Sequence, residues 1–183
     1  MDMRIEKTRR SIINAFLQLR AKKPLEKITV KELSALAEIN KATFYLHYKD
    51  IYDLSETLER ETVQSALSSI QRPADILTDL RSFIRQLGDA FVSNERLIKI
   101  LFEGNRSSSF VSILEDELMK VIHETDPDHS ISQESRMMMT YMIYGGYYTY
   151  FKYCDMGIKT VLEMMEKMAG RIIGLYDAPE NEN

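Results

Sequence analysis

The nine residues Lys41 to Lys49, KATFYLHYK, concentrate groups that can bind a polyanion. Two lysines supply charge, and Thr43, Tyr45 and His47 supply hydrogen-bond donors suited to phosphate oxygens. Phe44 and Tyr48 are four apart, so on a helix they share one face and can anchor it to a core. Lys41, Ala42, Tyr45 and Leu46 then point another way, with Thr43 and His47 on the flanks. A helix fits the DNA major groove, and its N-terminal end would bring Lys41 and Ala42 nearest the base edges.

Other chemistry is poorly served. His123, Asp126, Asp128 and His129 fall in one acidic stretch, 123–132, expected to be a solvated loop. No rigid spacing pairs them and no cysteine joins them, so no metal site is expected. The chain lacks a glycine-rich phosphate loop, a nucleophile elbow and an HExxH motif, so neither an enzyme nor a cofactor is expected. Cys154 is the single cysteine and lies among tyrosines, which excludes an internal disulfide and fits a reducing, cytoplasmic setting. No apolar run approaches a membrane span, and the charged start, MDMRIEKTRR, does not read as a signal peptide.

The elements that must position the 41–49 stretch can be read from caps and spacing. Ile5, Ile12, Phe16 and Leu19 make one face of a first helix, 4–22, which Pro24 ends. TVKE at 29–32 has the form of a capping box, with Thr29 and Glu32 each accepting from the other's backbone N–H. It opens a short helix, about 30–37; Asn40 caps a third, 41–47, and Asp50 a fourth. Two short helices joined by a turn of about three residues make a helix-turn-helix. Charge agrees with this. The net charge of −4 divides into +6 over residues 1–49, from eleven Lys/Arg and five Asp/Glu, and −10 over the rest. A basic head on an acidic body suggests that only the head meets a polyanion.

The segment ITVKELSALAEINKATFYLHYKDIYDL, 28–54, resembles the DNA-binding segment of the tetracycline-repressor (TetR/AcrR) family of bacterial transcription regulators. Thr29, Leu33, Ala37, Ile39, Thr43, Phe44, Tyr45, His47 and Tyr48 carry the resemblance, which covers some 45 residues with the first helix. It implies phosphate contacts from Thr29, Thr43, Tyr45, His47 and Lys49, and puts Lys31, Lys41 and Ala42 closest to bases, with Asn40 in the same DNA-facing set. Three positions depart from the family pattern. Glu38 stands where glycine is usual, Asn40 where serine is common, and Ile51 where a second lysine is common.

The expected fold is all-α, about nine helices. A three-helix head, residues 1–50, carries the helix-turn-helix, and a helical body, 51–183, serves ligand binding and dimerisation. Only four prolines and seven glycines argue against a chain of many β-turns. One helix is expected from 51 to about 70, another over 74–91, and others over 107–124 and 137–154. Met138, Met142, Gly145, Thr149 and Lys152 share a stripe of the 137–154 helix. The last helix has two stripes: Val161, Met165, Met168, Ile172 and Leu175 on one, and Leu162, Ala169, Ile173 and Tyr176 on the other. One stripe can bury at home and the other needs a partner. By the resemblance the last two helices build a four-helix dimer interface, here from Met142, Gly145, Thr149, Val161, Met165, Met168, Ile172 and Leu175. Phe102, Met138, Tyr141, Tyr144, Tyr148 and Phe151 are the candidate lining of an effector pocket, where methionine adapts in shape and tyrosine adds a hydroxyl.

The expected function is a dimeric, sequence-specific regulator, most readily a repressor, that binds a pseudo-palindromic duplex operator and is released by a small molecule. The alternative is a helical regulator controlled by a protein partner.

Overall fold

A computed structural model describes residues 3–102, 107–127 and 132–176. It is all-α, as expected. The described elements are α1 (Met3–Arg20), a 3-10 turn (Leu25–Lys27), α2 (Val30–Leu36), α3 (Lys41–Tyr45), α4 (Ile51–Ser68), α5 (Asp75–Thr78), α6 (Leu80–Ser93), α7 (Glu95–Phe102), α8 (Ser107–Thr125), α9 (Gln133–Tyr153), a second 3-10 turn (Cys154–Met156) and α10 (Ile158–Tyr176). The chain divides into two compact units, 1–62 with 95–110 and 63–94 with 111–183, so the division falls within α4 and within α8.

In the first unit, α1 buries Ile12, Ala15, Phe16 and Leu19. Ile5, expected on that face, is exposed at the start of the helix. Leu25, Ile28, Leu33, Phe44, Ile51 and Leu54 add to the same core. Phe102 is buried with its ring edge-on to Phe110, centroids 4.8 Å apart. The Glu59 carboxylate is also buried and accepts a 2.6 Å hydrogen bond from Ser55 Oγ, one turn earlier on α4.

In the second unit, α10 packs against α6 and α9. A Cβ at Gly88 of α6 would lie 3.2 Å from Leu162, and one at Gly146 of α9 would lie 3.4 Å from Met165. The absence of a side chain at Gly88 therefore lets α10 lie close, whereas a Cβ at Gly146 would make only an ordinary contact with Met165. The 3-10 turn ends on Gly157, whose φ of +99° suits glycine. Just before it, Cys154 is half-buried, with Sγ 3.5 Å from the Phe151 carbonyl.

One expected helix is two. The 74–91 stretch breaks at Asp79, whose backbone leaves the helical region (φ −146°, ψ 72°) and whose side chain caps α6 by accepting from Ser82 N. The apolar spacing Ile76, Leu80, Phe83 runs through the break and hides it. Buried Asp75 secures the corner by accepting from Ser82 Oγ (2.8 Å) and Gln86 Nε2 (3.1 Å). The other end of the Gln86 amide accepts from the backbone N–H groups of Gln71 and Arg72.

The stretch expected as a loop from 123 is helical through Thr125. Asp128 and His129 lie outside the described residues. Among the described residues, no cluster of three or more His, Cys, Asp or Glu could hold a metal, and no helix is long and apolar enough to cross a membrane.

Candidate nucleic-acid interface

The helix-turn-helix is built by its caps. Thr29 Oγ1 accepts from Glu32 N at 3.3 Å and starts α2. The other half of the expected capping box is replaced, because the Glu32 carboxylate engages the Lys23 ammonium. The Thr29 hydroxyl serves here as an acceptor, which leaves its proton for a phosphate. After α2 the chain turns on Glu38 with φ +56°. That is the left-handed region, at the position where the family pattern has glycine. A glutamate there costs about 1–2 kcal/mol.

Asn40 then caps α3, with Oδ1 accepting from Thr43 N (2.7 Å) and from Thr43 Oγ1 (2.9 Å). The Thr43 hydroxyl proton is thus committed to Asn40, and a contact from it to phosphate requires that bond to be exchanged. Asp50 caps α4 through Asp53 N (2.8 Å), and Asp53 reaches back to Lys49 N (2.9 Å), which holds the backbone at Lys49.

The face of α3 that anchors and the face that is presented separate as their spacing predicts. Phe44 and Tyr48 are buried, ring centroids 5.9 Å apart. Lys41, Ala42, Tyr45, Leu46 and Lys49 are exposed, and Thr43 and His47 are half-buried. Lys31, Thr29 and Asn40 are exposed as well. All nine candidate residues therefore reach solvent within 21 positions of one short segment. Leu46 has no role in the pattern of donors and charges, yet it is 85% exposed.

Behind α3, Arg9 of α1 grips Glu61 of α4, with Nη2 2.6 Å from both carboxylate oxygens. Burial works against the Arg9 charge, but the bond to Glu61 and the charges of Tyr48, Glu61 and Glu6 outweigh it and raise its pKa. Burial also raises the Tyr48 phenol; the charges of Glu61 and Asp53 push the same way, and Arg9 offsets part of the shift. The Tyr48 hydroxyl is sealed without a hydrogen bond of ordinary geometry. The Arg9–Glu61 pair is 52 positions apart, and no local pattern in the sequence points to it.

The candidate pocket and interface residues are distributed differently from expectation. Phe102 is taken up in the core of the first unit. In the second, Ile143 and Tyr147 are the buried residues of α9, and Phe151 packs on Tyr147 at 4.5 Å. Tyr141 (66% exposed), Tyr144 and Tyr148 face solvent with Met137 and Gly145, while Met138, Met142 and Thr149 are half-buried. The three tyrosines thus form an outward stripe of the single chain instead of a pocket wall. On α10, Val161 is 3% exposed and already buried in its own chain, in the turn after the 3-10 connection. Met165 lies half-buried against Gly146, and Ile172 is half-buried. Met164 and Met168 are exposed, whereas the side chain of Leu175 lies outside the described residues. Tyrosine and methionine occupy every side of α9, so spacing alone did not distinguish its inner face from its outer one. No protein-family model matches the chain, and no curated protein sequence matches it.

Proposed function

We propose that the protein is a sequence-specific DNA-binding transcription regulator of the tetracycline-repressor type, acting in the cytoplasm as a homodimer. The observation that carries this reading is the division of α3: Phe44 and Tyr48 buried, and Lys41, Ala42, Tyr45 and Lys49 exposed in a capped helix-turn-helix. The +6 charge of residues 1–49 supports it, because neutralised phosphates supply most of the affinity. A second copy would cover the outward stripes, Tyr141, Tyr144, Gly145 and Tyr148 of α9 with Met164 and Met168 of α10. Two-fold pairing gives two heads for the two halves of a pseudo-palindromic operator. Repression is relieved by a small molecule that binds one arrangement of the heads more tightly than the other. The exposure of Tyr141 and Tyr148 also favours a second reading, in which that stripe is covered by a controlling protein partner instead of by the second copy, and no small molecule is needed.

The test is selection of a duplex from a random pool, followed by a salt titration of its affinity. For about six phosphate contacts, affinity is expected to fall about a thousand-fold between 50 and 200 mM salt. Failure to select any duplex refutes the reading.

A further inference from the structure

We propose that Leu46, one turn beyond Ala42 on the same face, reads thymine methyl groups in the operator; this rests on the DNA-binding reading above. Leu46 is 85% exposed, and it follows α3 without leaving helical geometry (φ −75°, ψ −20°). Its N–H donates to the Ala42 carbonyl at 3.2 Å, so the two residues lie one turn apart on the presented face. Ala42 is exposed too, and so are Lys41, Tyr45 and Lys49 around the pair. The result is a small apolar ridge inside a cationic, hydrogen-bonding surface.

Single exposed leucines are common and usually carry no function. This one sits where a polyanion is expected, and it can neither pair with a phosphate nor donate to a base. The apolar group that a base pair offers in the major groove is the thymine C5 methyl. Leu46 and Ala42 offer methyl groups of their own at two places along one exposed face. The charged ring of residues fixes the register, and the ridge then discriminates thymine from cytosine by contact area.

The experiment takes the full chain and a duplex selected from a random pool, and replaces each thymine with deoxyuridine in turn. That change removes one methyl group and keeps the base pairing. Binding is expected to weaken about three- to five-fold at one or two thymines of each half-site, the loss that corresponds to one buried methyl-sized group. Leu46→Ala should bind the parent duplex that much more weakly and lose its sensitivity to at least one of those positions. Leu46→Met, which keeps the apolar reach, should retain it. Indifference of the unaltered chain to every deoxyuridine substitution overturns the proposal and leaves DNA binding standing. Unchanged sensitivity in Leu46→Ala overturns the assignment to Leu46. Failure to select any duplex removes the DNA-binding reading, and this proposal with it.

Discussion

Lys41 and Lys49 both present an ammonium group, but the first belongs to the exposed start of α3 and the second follows its end. Replacing Lys41 with alanine should weaken the selected operator more than random duplex. Replacing Lys49 should weaken both alike and flatten the salt slope by about one unit. Competition binding at several salt concentrations separates the two outcomes; equal losses for Lys41→Ala would reassign it to a phosphate. Glu38 makes a folding prediction. Glycine would relieve the left-handed strain at some cost in chain entropy, so Glu38→Gly should stabilise the fold by about 0.5–1 kcal/mol, read from the urea midpoint. Tyr48 links burial to pH. Its phenol is raised in the folded chain, so above about pH 10 the folded state holds a proton that the unfolded state releases, and stability falls as pH rises. Tyr48→Phe removes a sealed hydroxyl that lacks a hydrogen bond of ordinary geometry and lies near Arg9. It should leave stability at pH 7 unchanged or raise it by about 1 kcal/mol, and it should blunt the alkaline loss seen in thermal melts. The anchoring role of Phe44 and Tyr48 was legible from their spacing of four. The strain at Glu38 was legible from the glycine expected there. The state of the Thr43 hydroxyl was not, because it depends on which Asn40 atom lies nearest.

At the level of elements, the helices with polar caps were the readable ones. Thr29, Asn40 and Asp50 each sit where the structure starts a helix. Asp79 does the same for α6, and the spacing Asp79-x-x-Ser82 was the available signal, outvoted by an apolar pattern that ran on without interruption. α9 failed for the opposite reason. It has apolar residues on all sides, so the tyrosines that face outward could not be told from those that pack inward. Gly145 tests its outer face. Nothing lies within 4 Å of where its Cβ would be, and glycine inside a helix costs about 1 kcal/mol relative to alanine. Gly145→Ala should therefore raise monomer stability by about that amount while weakening self-association. An unchanged association constant, measured by sedimentation equilibrium, would take Gly145 out of the interface.

For the whole molecule, the proposed homodimer is the feature to test. Met168 is exposed on α10, so arginine there should leave the single chain folded. In a dimer it would bury an uncompensated charge, at a cost of about 3 kcal/mol or more. Met168→Arg is expected to sediment as a monomer and to bind the operator weakly; an intact dimer would reject this face. The contrast between a basic head and an acidic body was readable by counting charges. The division into two units was not, because it runs through α4 and α8 and brings α7 into the first unit. Cys154 gives one practical opening. Each chain has a single thiol, half-buried at the bend before α10, and so accepts a spin label at one defined place. In any assembly of identical chains the label-to-label separation becomes an internal ruler, read without engineering a cysteine in or out.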